Sequence, residues 1–389
     1  MARVRRAALA ALVVFAALGP ARPQSPRHAA ATRTAAGAYH SDFRTPSRGS
    51  GGTLLRGPHG PAALRWAVRT GHRVFASPVR NAEGWAVVGS VDGTVVAVDA
   101  TGVVRWSSRR RSRVFASPAV HGDLVFGGSD AREAFGLAGR GEERWRAIVP
   151  QDLDAPLLVI DGGTVLAVSG DARAYSLDGT LRWTTTLAGH AFGAPAEADA
   201  RGFVAEMRGS VAVLDARSGT LERRVELGGF AYGGVLAMPD GGFIVGVADG
   251  TVRRFGRDGE ARWSVRTDGA ARSLGVRSTP ALRGDGVVVV GAEDGNVYGL
   301  RGDDGSRVFA VRTFGAVRSR ACIDRDGWTY VGSEDDAVHA IAPDGVEAWR
   351  VNVGADVDSG PALLADGLLV VGADDGALHA IGDAAPVAP

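Results

Sequence analysis

Short apolar runs alternate with turn signals along nearly the whole chain, from about Leu64 to Gly382. The clearest runs are β-branched and end in a small residue: "AVVGS", "FIVGV", "VVVVGA", "TYVGS" and "LLVVGA". Several lead straight into an Asp-Gly pair, as at Asp92-Gly93, Asp249-Gly250, Asp294-Gly295 and Asp375-Gly376. Apolar runs of this length bounded by such pairs predict β-strands joined by tight hairpins, here of type I′. A further run such as "TVVAVD" follows each hairpin, then a second Gly turn and a strand bearing a large aromatic residue. No segment carries a helical period, apart from an apolar stretch near the N-terminus.

The aromatic positions recur. Trp66, Trp106, Trp145, Trp183, Trp263 and Trp349 fall on one slot, which Arg223 and Phe309 fill in the two remaining units. Their successive spacings are 40, 39, 38, 40, 40, 46 and 40 residues. A period near 40 with four short strands per unit predicts an all-β, eight-bladed β-propeller of four-stranded antiparallel blades. The chain ends in a third strand, "ALHAIGD", and begins its repeats with a lone fourth strand, "ALRWAV". Pairing the two would complete the last blade and remove an open sheet edge. The Trp is expected to fill the gap between neighbouring blades, so the Arg223 and Phe309 seams should be the weaker ones.

Composition changes this picture little. The chain has 389 residues, 56 of them Gly, and a formal net charge of +1, which gives no overall field for nucleic acid. All of its basic side chains apart from histidine are arginines. The N-terminus matters more. Arg3, Arg5 and Arg6 precede an apolar run from Ala7 to Leu18 and then small residues, the layout of a secretory signal peptide over 1–21. That run is shorter than the ~20 residues a membrane span needs. Residues 22–62 read as a Pro/Gly/Ser/Arg-rich linker, 63–383 as the propeller and 384–389 as a tail. Cys322 is the sole cysteine, so no internal disulfide can form, and no Cys follows the apolar run to take a lipid. The expected product is a monomer, periplasmic or secreted.

The unit "SPAVHGDLVFGGS", together with "VVVVGAEDGNVYGL" and "LDGTLRW", resembles the quinoprotein-like (PQQ-like) β-propeller repeat family. The resemblance covers roughly Leu64 to Gly382. It implies one of two functional classes. One is the dehydrogenases that hold pyrroloquinoline quinone and Ca²⁺ in the funnel, often beside an adjacent-cysteine disulfide and a stacking Trp. The other is non-catalytic propellers, including the outer-membrane assembly factor BamB, which imply a protein-binding scaffold in the cell envelope. The single cysteine cannot form that disulfide. Six Trp are in the repeat slot, and Trp85 and Trp328 occupy matching sites after the first turns of units one and seven. Neither set leaves a Trp for a quinone. The reading is therefore non-enzymatic and without cofactor, with protein partners. The alternatives are a PQQ/Ca-dependent dehydrogenase and a small-ligand or glycan sensor.

Other chemistry is sparse. His339 and His379 share a slot with Phe135, Tyr175 and Tyr298, so they read as strand residues rather than metal ligands. The Asp-rich turns, such as "DRDG" at Asp324–Gly327, fit hairpin chemistry better than a Ca²⁺ loop. The informative departure from the repeat lies on the inner strands. Two before the Ser-Pro pair or its counterpart stand Phe75, Phe115, Leu153, Phe192, Ala231, Arg277, Val317 and Asp358. The next slot reads Ala76, Ala116, Asp154, Gly193, Tyr232, Ser278, Arg318 and Ser359. Inner strands line a propeller's axis. The candidate partner surface is thus Phe75, Phe115, Asp154, Phe192, Tyr232, Arg277, Arg318 and Asp358.

Overall fold

The structure is a computed structural model that describes residues 54–160, 163–270 and 275–384. The candidate signal peptide, most of the linker and residues 385–389 lie outside the described residues. Strand β1 (Ala62–Arg69) comes first, followed by β2 (Val79–Arg80), β3 (Ala86–Gly89), β4 (Thr94–Val98) and β5 (Val104–Arg109). Strands β2 to β5 form one antiparallel sheet in sequence order, which is blade one. Six more sheets repeat that order over 119–148, 158–186, 196–226, 235–266, 281–312 and 322–352. Blade eight joins Ala362–Ala365, Leu368–Gly372 and Ala377–Asp383 to β1, which pairs from Ala62↔Asp383 to Arg69↔Ala377. The eight blades and their closure are those the repeat predicts. One apolar cluster runs through blades seven, eight, one and two, so the closure is packed rather than merely hydrogen-bonded.

The hairpins differ from the expected type. In the turn after β3, Gly93 N–H donates to Ser90 O at 2.9 Å and Ser90 N–H to Thr94 O at 2.8 Å. Gly93 has φ of 90°, whereas Asp92 is not among the left-handed residues. This is a three-residue loop, a type I turn closed by a left-handed Gly bulge. Asp92 supports it by accepting from Thr94 N–H at 2.9 Å, and Asp249, Asp294 and Asp375 repeat that contact. These carboxylates therefore serve the turns.

The recurrent aromatic does fill the seams, and a bulge places it. In every blade the pairing of the outer strand slips one residue at this point, as between Ala97 and Val98 opposite Trp106. Six of the seven rings lie over the turn glycine of the next blade; a Cβ at Gly179 would be 2.5 Å from the Trp145 ring. At three of these seams the indole N–H also finds a carbonyl in that turn: Trp66 donates to Ala100 O at 3.0 Å, Trp145 to Leu177 O at 2.9 Å and Trp263 to Gly302 O at 3.0 Å, whereas the buried N–H groups of Trp106 and Trp183 make no such bond. Arg223 keeps the polar half of this arrangement by donating to Asp258 O at 2.6 Å.

The seam between blades seven and eight has no such turn, because its outer strand comes from the far end of the chain. The residues just before β1 supply the missing carbonyl: Trp349 Nε1 donates to Pro58 O at 2.9 Å. The same strap stacks His59 on Trp328, ring centroids 4.3 Å apart, and places His59 Nε2 2.6 Å from Asp324 Oδ2. The end of the predicted linker is thus part of the folded body.

Candidate functional site

The site begins with a packing rule. The residue entering each inner strand is apolar and buried: Val74, Val114, Leu153, Ala191, Ala231, Val276, Val317 and Val357. Six of these sit against the glycine that ends the second strand of the preceding blade; a Cβ at Gly128 would be 2.5 Å from Leu153 Cγ. This is why those β-branched runs end in Gly. The anchor fixes the register, and the next residue in every blade belongs to one ring. Around the axis that ring reads Phe75, Phe115, Asp154, Phe192, Tyr232, Arg277, Arg318 and Asp358.

All eight predicted residues therefore share one slot, where the sequence reading had split them over two. Units three, five and seven are out by one because the Ser77-Pro78 counterparts there are Pro156-Leu157, Gly234-Val235 and Arg320-Ala321, one residue later than the look-alike pairs Ala155-Pro156, Gly233-Gly234 and Ser319-Arg320. Ser-Pro was the wrong ruler there. Contacts between blades confirm the ring. Phe75 and Phe115 stack at 5.6 Å, and Arg277 lies 4.6 Å over Tyr232. Arg277 and Arg318 share Glu293 at 2.9 and 3.2 Å, and Arg318 Nη1 stands 4.0 Å from Asp358 Oδ1. Asp154 faces His190 at 3.6 Å, which packs against Phe192. Phe75 and Asp358 are buried and the other six half-buried.

Beneath the ring runs a belt of hydrogen bonds. Gly360 N–H donates to Ser77 Oγ at 2.7 Å, Ser77 N–H to Ser117 Oγ and Gly234 N–H to Thr279 Oγ1, both at 2.8 Å. In blade seven this slot holds Arg320, which is 1% exposed; burial pulls its guanidinium down to about 9.

Two acid-rich corners flank the Phe75–Phe115 pair. In one, burial pushes the Asp358 carboxyl up to about 7, with Arg318 opposing and Asp374 and Asp356 adding. Asp356 and Asp374 are also raised, chiefly by burial. In the other, burial and then Asp154 lift Asp130 to about 7 against the pull of Arg113, 2.7 Å away.

Sequence reasoning missed two exposed aromatics on the same face. Phe230 is 53% exposed and Phe314 is 77% exposed. Both lie on the loops entering inner strands: Phe230 O accepts from Ala248 N–H, and Phe314 N–H donates to Asp335 Oδ2 at 3.0 Å. The signal was present as "GGF" and "TFG", Gly-flanked aromatics outside the strand pattern.

The remaining candidates resolve structurally. Four turn aspartates clamp the strand residue four places on: Asp249–Arg253, Asp294–Tyr298, Asp335–His339 and Asp375–His379. The two histidines thus occupy the Tyr298 slot. Among the described residues one trio has metal-ligating spacing, His59, Asp324 and Asp326. Asp324 is already saturated there, accepting from His59, Gly57 N–H and Tyr330 OH on Oδ2 and from Asp326 and Trp328 N–H on Oδ1. That trio is the strap's anchor. The residues also do not fit a quinone. The repeat-slot Trp lie in blade seams, Trp85 lies by Arg105 and Trp328 under His59, and Cys322 is a lone buried thiol. At the mouth the stacked pair is Phe75–Phe115.

The sequence matches the family described as outer membrane protein assembly factor BamB over residues 59–139 and 133–317, more than half of the chain. No curated protein matches it closely. Among solved structures, BamB from Moraxella catarrhalis aligns with TM-score 0.67 at 16% identity, covering 85% of this chain and 100% of that one. The computationally designed protein Ika8 aligns with TM-score 0.62 at 17% identity, covering 85% and 99%. At such identities the likeness concerns the fold alone.

Proposed function

The chain belongs to the family described as outer membrane protein assembly factor BamB, and from that premise we propose that it is an exported, non-enzymatic scaffold that binds protein partners in the cell envelope. Outer-membrane protein assembly is the setting this reading favours. Export rests on the signal-like residues 1–21. No helix among the described residues is long and apolar enough to cross a membrane.

One observation carries the proposal. A rigid, uniformly anchored frame displays a face that is chemically varied, with Phe230 and Phe314 exposed around the ring. Exposed aromatics on rigid support are what binding hot spots are made of. Photoreactive residues at Phe230 and Phe314, with Val104 on an outer strand as control, test it in cells by crosslinking and mass spectrometry. Recovery of one envelope protein from both loop positions and not from Val104 is expected. Recovery from none of the three, or equally from all, overturns the reading.

A further inference from the structure

The corner of the mouth between blades seven and eight is short of positive charge. Asp358 is 5% exposed, and no hydrogen bond reaches its Oδ1. Its nearest cation, Arg318, stands at 4.0 Å and is already committed, with Nε on Glu293 and Nη1 on Glu334. Asp374 repeats the pattern: Arg73 lies 3.5 Å from its Oδ2, while its Oδ1 is buried without a hydrogen bond. Asp356 adds a third carboxyl. Counting Glu293, Glu334, Asp336 and Asp375, seven carboxyls meet three guanidinium groups, those of Arg73, Arg277 and Arg318, with the His72 imidazole beside Asp374. A buried carboxylate without donors is unfavourable unless something completes it.

The geometry selects what that is. A Ca²⁺ ion needs several oxygens converging on one point at about 2.3–2.6 Å. Among the described residues no trio drawn from this corner brings its oxygens close enough. A guanidinium instead offers five donors in a planar fork and serves several carboxylates over a wider span. The entry is open, since Arg73 and Asp375 are exposed and Asp356 and Asp374 half-buried, and the Phe75–Phe115 stack begins in the next blade.

We propose that this corner is a socket for an arginine side chain of the protein partner, with Asp358 at its base, Asp356 and Asp374 at its rim and Phe75–Phe115 as its apolar flank. The proposal rests on the reading of this face as a partner surface. The weakened acidity of Asp358, its carboxyl pushed up to about 7 chiefly by burial, agrees with a carboxyl awaiting a cation.

The test uses N-acetylarginine methylamide as probe, its neutral citrulline counterpart and calcium chloride as separate arms, and the whole protein. The readout is the carboxyl-carbon NMR signal of Asp358, assigned by its loss in Asp358→Asn. The arginine probe is expected to shift that signal saturably and to lower the pH at which it titrates. The citrulline compound should do neither. Binding, followed in that variant through the carboxyl-carbon signals of Asp356 and Asp374, should weaken about tenfold or more in Asp358→Asn. Asp374→Asn gives the same comparison should the first variant fail to fold. An equal response to citrulline, no response to arginine, or saturation by calcium at lower concentration overturns the socket. If crosslinking captures a partner while the arginine probe leaves Asp358 unmoved, the socket fails and the scaffold survives. Probe binding without any captured partner has the opposite meaning.

Discussion

The outer seams and the mouth ring are built from the same eight repeats, and they obey opposite rules. At the seams one solution recurs: a bulged strand and a large side chain filling the gap between blades, with a donor reaching a carbonyl of the next blade or of the strap at five of the eight. Where Trp is replaced by Arg223, the donor to the carbonyl is kept. Where the turn itself is missing, Pro58 is brought from outside the repeat to supply it. The ring tolerates phenylalanine, aspartate, tyrosine and arginine at a single slot. The difference teaches that the fold constrains the residue before the ring, the buried anchor, and leaves the ring position itself free. Positions free of the fold are where a binding specificity can be written.

The largest break in this comparison comes from a seam. Trp145→Ala removes a ring packed against Phe126 and Tyr175 and over Gly179, along with the bond to Leu177 O. Replacement of a buried Trp by Ala costs about 3–5 kcal/mol, and this variant should show that in urea or guanidinium unfolding. Arg223→Ala should cost about 1–2 kcal/mol, because a half-exposed chain and one hydrogen bond are lost. Equal losses at the two seams would mean that the ring's burial is not what holds neighbouring blades together.

A smaller break tests the anchor pockets. Gly128→Ala places a methyl against Leu153, and overpacking of this kind costs about 1–3 kcal/mol. Shortening the anchor should restore part of it, so Gly128→Ala with Leu153→Ala should be less unstable than the sum of the single variants. Strict additivity would show that glycine and anchor are not one unit.

That pairing also marks what the sequence could reveal. Period, strand grammar and the unpaired terminal strands are local patterns, so eight blades and their closure were legible. The ring was legible as a set of residues, but its alignment was not. Units three, five and seven carry no Pro at the place where the other five do, and unit three offers Pro156 one residue early, whereas the apolar anchor is present in all eight. Partners such as Glu293 and Glu334 were invisible for a different reason: they reach Arg318 from turns 25 and 16 residues away. The strap could not be foreseen, because Pro58 acquires its role only once the ring has closed. Phe230 and Phe314 were overlooked because they lie between repeat positions.

The finest distinction concerns the ring's own energetics, and pH separates it from the frame. Asp358 has its folded value raised to about 7 from an ordinary 3.8. Between those values the folded protein holds a proton that the unfolded chain has released. This carboxyl therefore favours folding less and less as pH rises from 4 to 7, and its effect is level on either side. Asp358→Asn carries no charge at any pH. It should match the parent near pH 4 and exceed it near pH 8, by on the order of 4 kcal/mol. Turn carboxyls such as Asp99, held at about 2, lose their stabilising effect as pH falls, but they do so equally in both proteins. The difference between two unfolding series thus isolates the mouth. A parent stabilised by Asp358 at pH 8 would mean that Arg318 already satisfies it in the free protein, leaving no vacancy for a partner's cation.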